Sequence, residues 1–117
     1  MDENNYIQQI TDRLQGFNPY LIVLFGSYAY GNPDSSSDID LLVVTGDDFV
    51  PENFSEHSKL YMKISRALRP IKEEVAIDLI VQTIPMYRKF LELNSSFAKE
   101  ITSKGIVIYE GNNQTVA

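Results

Sequence analysis

Hydrophobic residues form two kinds of pattern along this chain, continuous runs and helical spacings. Together these patterns predict strands that alternate with helices. Continuous apolar runs of strand length predict strands at residues 20–25, 38–44, 75–83 and 106–109. Apolar residues spaced by three or four positions predict amphipathic helices between and around these strands. Strands that alternate with helices favour a sheet covered by helices, and runs that are apolar on both faces fit such a sheet.

The helix boundaries are predicted from capping residues and helix breakers. Gly16 is suited to end an N-terminal helix. A long helix is predicted to begin with Ser55 as its N-cap and to stop at Pro70. Pro85 suits the first turn of a further helix, and a short helix is predicted around residues 97–101.

Length and composition restrict the class of protein. The 117 residues suit one domain, which we expect to span residues 1–110, with a disordered tail over residues 111–117. The absence of cysteine excludes disulfides and thiolate metal sites. The chain starts with acids and amides instead of a signal peptide, and no run reaches the ~18 apolar residues of a membrane span. We therefore expect a cytoplasmic protein that makes no contact with a membrane.

The charge of the chain is negative and uneven. The formal net charge is −6, and between Arg13 and Lys59 there are seven acidic residues but no Lys or Arg. Direct binding to nucleic acid is not expected, because such proteins usually present a basic face. A phosphate-bearing ligand in this region would need metal ions or main-chain N–H groups as its counter-charge.

Three aspartates are candidates for a metal site. Asp38 and Asp40 project to the same side of their predicted strand, about 6–7 Å apart. Asp78 lies inside the third apolar run, where a lone carboxylate is costly unless it is paired or binds a cation. If these two strands are neighbours, a divalent cation would relieve the repulsion, and hard oxygen ligands favour Mg²⁺ or Mn²⁺. The alternative is that Asp38 caps a turn and Asp40 is a strand-edge charge. His57, the single histidine, is expected to have a surface or helix-packing role.

A glycine and a serine follow the first predicted strand. Gly26-Ser27 leads into a short helical turn over residues 28–30, an arrangement that presents N–H groups and a hydroxyl to an anion without a lysine. By itself the pair would be an ordinary tight turn. With the three carboxylates it favours two-metal, in-line nucleotidyl transfer. In this hypothesis Asp78 holds a second metal and helps to activate the attacking hydroxyl.

These motifs resemble a known family. Gly26-Ser27, ten intervening residues and Asp38-Ile39-Asp40 resemble the signature of the polymerase-β-like nucleotidyltransferase superfamily. The stretches GSYAYG at residues 26–31 and SDIDL at residues 37–41 are similar to the small stand-alone minimal nucleotidyltransferases. The resemblance implies a single α/β (α+β) domain, with a mixed sheet of about four strands covered by helices. It also implies a site in which Asp38, Asp40 and Asp78 are catalytic and metal-binding, and in which Gly26, Ser27 and Ser37 bind the nucleotide.

The resemblance further implies a substrate and a partner. Such enzymes use ATP or another NTP with Mg²⁺ (or Mn²⁺). Many minimal members pair with a small helical HEPN protein, an RNase toxin, and as antitoxins can transfer AMP from ATP to a tyrosine of that toxin. We therefore expect an antitoxin of this kind, in a hetero-oligomer or a homo-oligomer.

One residue departs from the family pattern, and two alternatives stay open. Tyr30 stands where minimal members usually carry Arg. The first alternative is a catalytically weak or inactive binding-module antitoxin of the same fold. The second is a small-molecule, antibiotic-type nucleotidyltransferase.

Overall fold

The apolar segments fold into four strands and six helices, seen in a computed structural model that describes residues 3–34 and 36–111. The tail was predicted over residues 111–117, of which residues 112–117 lie outside the described residues. None of the helices in these ranges is long and apolar enough to cross a membrane. In chain order the elements are α1 (Glu3–Leu14, followed by a 3-10 turn at Gln15–Phe17), β1 (Leu21–Phe25), α2 (Ser27–Tyr30), β2 (Ile39–Val44), α3 (Phe54–Ala67), α4 (Arg69–Lys72), β3 (Ile77–Gln82), α5 (Ile84–Leu93), α6 (Ser96–Lys104) and β4 (Ile106–Glu110).

The four strands form one mixed sheet, as predicted. The strand order is β3-β2-β1-β4. Strand β1 pairs antiparallel with β2 and with β4, whereas β2 and β3 are parallel. A parallel neighbour needs a long crossover, and α3 and α4 supply it. This crossover brings the start of β3 back to the end of the sheet at which β2 starts.

Helices cover both faces of the sheet because the strand side chains alternate. Ile22 and Leu24 of β1 point to a core shared with α1, α3 and α4. The intervening Val23 and the flanking Phe25 point to the other face, which α5 and α6 cover. Strand β2 follows the same rule, so that Leu41 faces the first layer of helices.

Two predicted helix boundaries are wrong, for reasons of capping. Helix α3 begins one residue before Ser55, because the Asn53 side chain is the N-cap and accepts the Glu56 N–H at 2.9 Å. Pro70 does not end the helical structure, because a second helix, α4, contains it. It lies in the first turn of α4, where a missing N–H costs nothing.

Strand β3 is shorter than predicted and is not apolar on both faces. It lies at an edge of the sheet, and only alternate residues such as Leu79 and Val81 are buried. His57 of α3 protects this edge, since its Nε2 lies 2.8 Å from the carbonyl oxygen of Val81. The histidine therefore has the helix-packing role expected for it, and the edge is less open to pairing with other chains.

The cap of α3 gives a first prediction. Asn53→Ala should lower the free energy of unfolding by about 1 kcal/mol, because the Glu56 N–H loses its acceptor. Urea denaturation followed by far-UV circular dichroism measures this loss. Ser55→Ala is the matched control, since Ser55 is one residue inside the helix and should be nearly silent. Equal losses in the two variants would contradict the assignment of the cap.

Candidate functional site

Two of the predicted carboxylates lie side by side at one end of the sheet. Asp40 of β2 is paired in register with Asp78 of β3, and on its other side with Phe25 of β1. Strand alternation places Asp40 on the same face as Leu42, which is the face covered by α5 and α6. Because neighbouring strands are about 4.7–4.9 Å apart, the side chains of Asp40 and Asp78 are close neighbours. Asp78 is exposed and Asp40 is half-buried.

Gly26 is required by the position of Asp40. A Cβ atom at residue 26 would overlap the Asp40 carboxylate, with Oδ2 as the nearest atom. The backbone of Gly26 also has a φ of 75°, which L side chains rarely adopt. The carboxylate therefore packs directly against the main chain at the turn that follows β1, and both constraints disfavour any other residue there.

The electrostatics of Asp40 are those of a crowded carboxylate. Burial is the main cause that raises its pKa above the usual aspartate value, and the charges of Asp78 and Asp38 raise it further. Glu100 of α6 adds to this effect. In the absence of a cation, ionised Asp40 is thus less stable in the folded protein than in water. A cation held between Asp40 and Asp78 would remove that conflict.

The carboxylate oxygens of this site suit a magnesium ion that is also bound by a substrate. Within the described ranges, no three His, Asp or Glu side chains are arranged to hold a metal ion by themselves. Mg²⁺ does not need such a cage, because it keeps several waters and is commonly bound by one or two carboxylates together with substrate phosphates. Asp40 and Asp78 supply two hard oxygen ligands of this kind. Asp38, just before β2, is exposed and contributes charge from the start of the strand.

The turn after β1 has the helical form predicted for it. The N–H groups of Ala29 and Tyr30 both donate to the carbonyl oxygen of Gly26, each at 3.0 Å. Gly31, at a φ of 86°, ends this short helix in the left-handed conformation. Ser27 is thus the first residue of α2 and directly follows the glycine that contacts Asp40.

The Ser37 hydroxyl forms hydrogen bonds with Asp34 in the loop before β2. It accepts the N–H of Asp34 at 2.8 Å and lies 3.3 Å from the Asp34 carboxylate. The bonds from Ser36, more than those from Ser37, hold the pKa of Asp34 below its usual value. These contacts order the segment that leads into Asp38. The assignment of Ser37 to nucleotide binding stays a prediction.

Two residues that the sequence analysis did not assign to the site also meet here. The Tyr30 hydroxyl donates to the Glu100 carboxylate, and Lys104 Nζ lies 5.7 Å from the centre of the Tyr30 ring. The bond to Glu100 is the main cause that raises the pKa of Tyr30, followed by burial. Seventy residues separate the two partners in sequence, and Glu100 lies in an ordinary amphipathic helix. No local motif could have indicated their contact.

Comparison with known proteins identifies the family to which this fold belongs. The profile of the family described as polymerase beta, nucleotidyltransferase matches residues 7–114. A protein of Methanocaldococcus jannaschii that carries the name protein adenylyltransferase is 34% identical over 88 residues, which are 75% of this chain and 76% of that protein.

Two solved structures have the same fold. One, described as a toxin-antitoxin with AMP-PNP, is 22% identical with a TM-score of 0.54, over 92% of this chain and 76% of that chain. The other, described as a nucleotidyltransferase from Sulfolobus solfataricus, is 19% identical with a TM-score of 0.58, over 92% of this chain and 82% of that chain. The predicted fold is therefore confirmed. With the family profile matching most of its length, the chain belongs to the polymerase beta nucleotidyltransferase family and is a nucleotidyltransferase.

Proposed function

We propose that the protein transfers AMP from ATP, with Mg²⁺, to a protein partner, and that it acts as the antitoxin of a small helical HEPN RNase toxin. The main observation that supports this reaction is the pairing of Asp40 with Asp78 on neighbouring strands. The Asp40 carboxylate also contacts Gly26 at the turn after β1. The choice of a protein acceptor is supported by the Methanocaldococcus relative, which is named as a protein adenylyltransferase. We propose that residues 1–110 form the functional unit.

The roles of the side chains follow from their positions. Asp40, with Asp38 beside it, would hold Mg²⁺ on the phosphates, and bound Mg²⁺ would neutralise the charge that develops during transfer. Gly26 and the Ser27 hydroxyl would contact the phosphates, and the missing side chain of Gly26 leaves room for the Asp40 carboxylate beside them. Asp78 would complete the metal site from β3, and it would also orient the acceptor hydroxyl and take its proton. The hydroxyl oxygen then bonds to the α-phosphorus, and pyrophosphate leaves with the electrons of the broken bond.

The position of Asp78 suits a large acceptor. It lies on the edge strand β3 and is exposed, so an incoming hydroxyl reaches it from outside the sheet. A protein partner could supply such a hydroxyl and also cover the nucleotide. A small acceptor would find little enclosure here, which disfavours the antibiotic-type alternative.

The described surface also carries apolar side chains suited to a protein contact. Phe54 is 84% exposed, Leu93 is 69% exposed and Val50 is 62% exposed. Val50 and Leu93 line a shallow cleft of about 570 Å³ beside Lys89, together with side chains of α5. Exposed apolar patches of this kind mark interaction surfaces in soluble proteins.

The binding-module alternative has one observation in its favour. Tyr30, which stands where the resemblance suggests an arginine, is bonded to an acidic residue and offers no positive charge to a triphosphate. A protein of this kind could neutralise a partner by contact alone. The two functions differ in whether a nucleotide becomes attached to the partner.

Transfer to the partner is the direct test of the proposal. The complex that the chain forms with its helical partner is incubated with ATP and Mg²⁺, and intact-mass spectrometry measures addition of AMP to the partner. Asp78→Asn should slow this addition about 10²- to 10⁴-fold, the usual contribution of a general base. Neutralisation of the partner without any adduct would instead support the binding-module alternative.

Nucleotide binding tests the metal site independently of a partner. In calorimetric titrations, ATP should bind wild type in Mg²⁺ and bind much more weakly in EDTA. Asp40→Asn should weaken the Mg²⁺-dependent binding by at least about tenfold, because loss of a ligand exceeds the tenfold effect seen even for outer-shell changes. Asp48→Asn, an exposed aspartate in the loop after β2, is the control and should bind as wild type does. Binding that persists unchanged in Asp40→Asn would exclude the assigned role.

The raised pKa of Asp40 predicts how stability depends on pH without metal. The folded state binds this proton more readily than the unfolded state, so stability is lost as the pH rises through the folded pKa of Asp40. In EDTA at pH 7, Asp40→Asn should therefore be more stable than wild type, by less than about 1 kcal/mol, because Asp40 is only half-buried and solvent screens the neighbouring charges. The difference should vanish below pH 3.8, the ordinary aspartate pKa, and urea denaturation across pH measures it. Equal stability of wild type and Asp40→Asn at pH 7 would contradict the conclusion that burial and the neighbouring carboxylates destabilise ionised Asp40.

A further inference from the structure

The outer face of α3 concentrates positive charge in a protein that is otherwise acidic. Residues 57–72 contain five of the ten basic residues of the chain and none of its 16 acidic residues. Lys59, Lys63 and Arg66 of this segment are exposed. At 3.6 residues per turn, these three positions fall within about 60° of one another around the helix axis. The buried Leu60 and Ile64 lie on the side of α3 that packs on the sheet.

The three cations repel one another. Lys59 and Lys63 are four residues apart and Arg66 follows three residues later, so their side chains are neighbours on the helix surface. Like charges at these spacings destabilise a helix. Among the residues that the structure describes, none is an ion-pair or hydrogen-bond partner of these three side chains. Carboxylates brought by another molecule would remove the repulsion.

An exposed apolar side chain adjoins the cations. Met62 is 40% exposed. It lines a shallow cleft of about 520 Å³ together with the three cations and the small side chains of Ser55 and Ser58. The two serines leave room for an incoming side chain to approach the helix. The cleft therefore offers an apolar contact next to a row of positive charge.

We propose that this surface binds an acidic, amphipathic helix of a protein partner, with carboxylates of that helix on the three cations and an apolar side chain on Met62. We call it the α3 docking face, formed by Ser55, Ser58, Lys59, Met62, Lys63 and Arg66. The docking face rests on the proposed function, because a protein partner is part of that proposal. Helix α3 covers the face of the sheet opposite to Asp40, so a helix bound here leaves the aspartates accessible.

A nucleic acid would also bring negative charge, but two observations favour a protein helix. Met62 has no flat ring on which a base could stack, whereas flexible methionine side chains are typical of surfaces that bind amphipathic helices. Outside residues 57–72, all 16 acidic residues face only five basic ones. The phosphates of a nucleic acid that extends beyond the docking face would therefore be repelled.

The test uses a fluorescent, stapled helical peptide with glutamates along one side and leucines beside them. Fluorescence anisotropy measures its affinity for the full chain. Replacing the three cations together by Lys59→Glu, Lys63→Glu and Arg66→Glu should weaken binding at least about tenfold, because three exposed ion pairs are lost. Binding that is unchanged in this triple variant would overturn the docking face.

A matched control changes the net charge equally at other exposed positions. Arg88→Glu, Lys89→Glu and Lys99→Glu together place the same charge change on α5 and α6 and should leave the affinity for the peptide as in wild type. Equal weakening in the two triple variants would show that only the net charge of the protein matters, which would contradict a defined surface.

The apolar contact and the kind of ligand are tested separately. Met62→Gln should weaken binding of the helical peptide about threefold or more, since it removes an apolar contact from the cleft. It should not change the binding of unstructured polyglutamate, which has charge alone. If polyglutamate or polyuridine RNA binds wild type as tightly as the helical peptide does, the assignment of an amphipathic protein helix is wrong.

A measurement on wild type alone guards against variants that fold poorly. In ¹⁵N-labelled protein, the peptide should move the amide resonances of residues 55–66 and leave those of Gly26 and Asp40 in place. Resonance changes confined to the surroundings of Asp40 would overturn the location.

The outcomes separate the docking face from the proposed chemistry. If the peptide does not bind α3 while AMP is still transferred to the helical partner, the docking face is wrong and the transfer stands. If the peptide binds α3 as expected but the partner gains no AMP, the proposed transfer is wrong and the docking face stands.

Discussion

The contact between the Asp40 carboxylate and the main chain of Gly26 is the constraint on which the rest of the site depends. It forces a glycine at the end of β1, both for space and for its backbone conformation. It also requires β1 and β2 to pair in the register that places Phe25 opposite Asp40. A shift of one residue would turn Asp40 towards the apolar layer of α1 and α3, where an ionised carboxylate has no partner. Burial of the core and placement of Asp40 in the site therefore require the same pairing register between β1 and β2.

The parallel pairing of β2 with β3 has a similar double role. An antiparallel hairpin would place the start of β3 at the far end of the sheet from Asp40. The crossover through α3 and α4 instead returns the chain, so that Ile77 and Asp78 pair with Ile39 and Asp40. The same helices bury Ile64 and Ile71 under the sheet. Burial of apolar surface thus drives the crossover that brings the two aspartates together.

Much of the fold and part of the site could be predicted from local patterns. The strands were recognisable because their cores are continuous apolar runs, and Gly26 and Asp40 were recognisable because they form a compact motif. Asp78 was assigned because a charge within an apolar run is unusual. The cap of α3 was predicted wrongly because Ser55 was chosen as the cap, although Asn53 followed three residues later by Glu56 has the spacing of a capping box. Glu100 was missed because its proximity to Tyr30 comes from the packing of α6 on β1, which no local signal encodes.

The distribution of charge in the proposed site predicts a ligand that brings cations. The region from Asp34 to Glu56 has no basic side chain, and Glu100 adds a further negative charge from α6. A bare triphosphate would therefore meet repulsion from at least three carboxylates and attraction only from N–H and hydroxyl groups. With Mg²⁺, the same carboxylates would become ligands, and their attraction to the metal would replace the repulsion. The proposed site would therefore favour the metal-bound nucleotide over the free one. In the ligand-free protein, the carboxylates held close together lower the stability of the folded state, as functional sites commonly do.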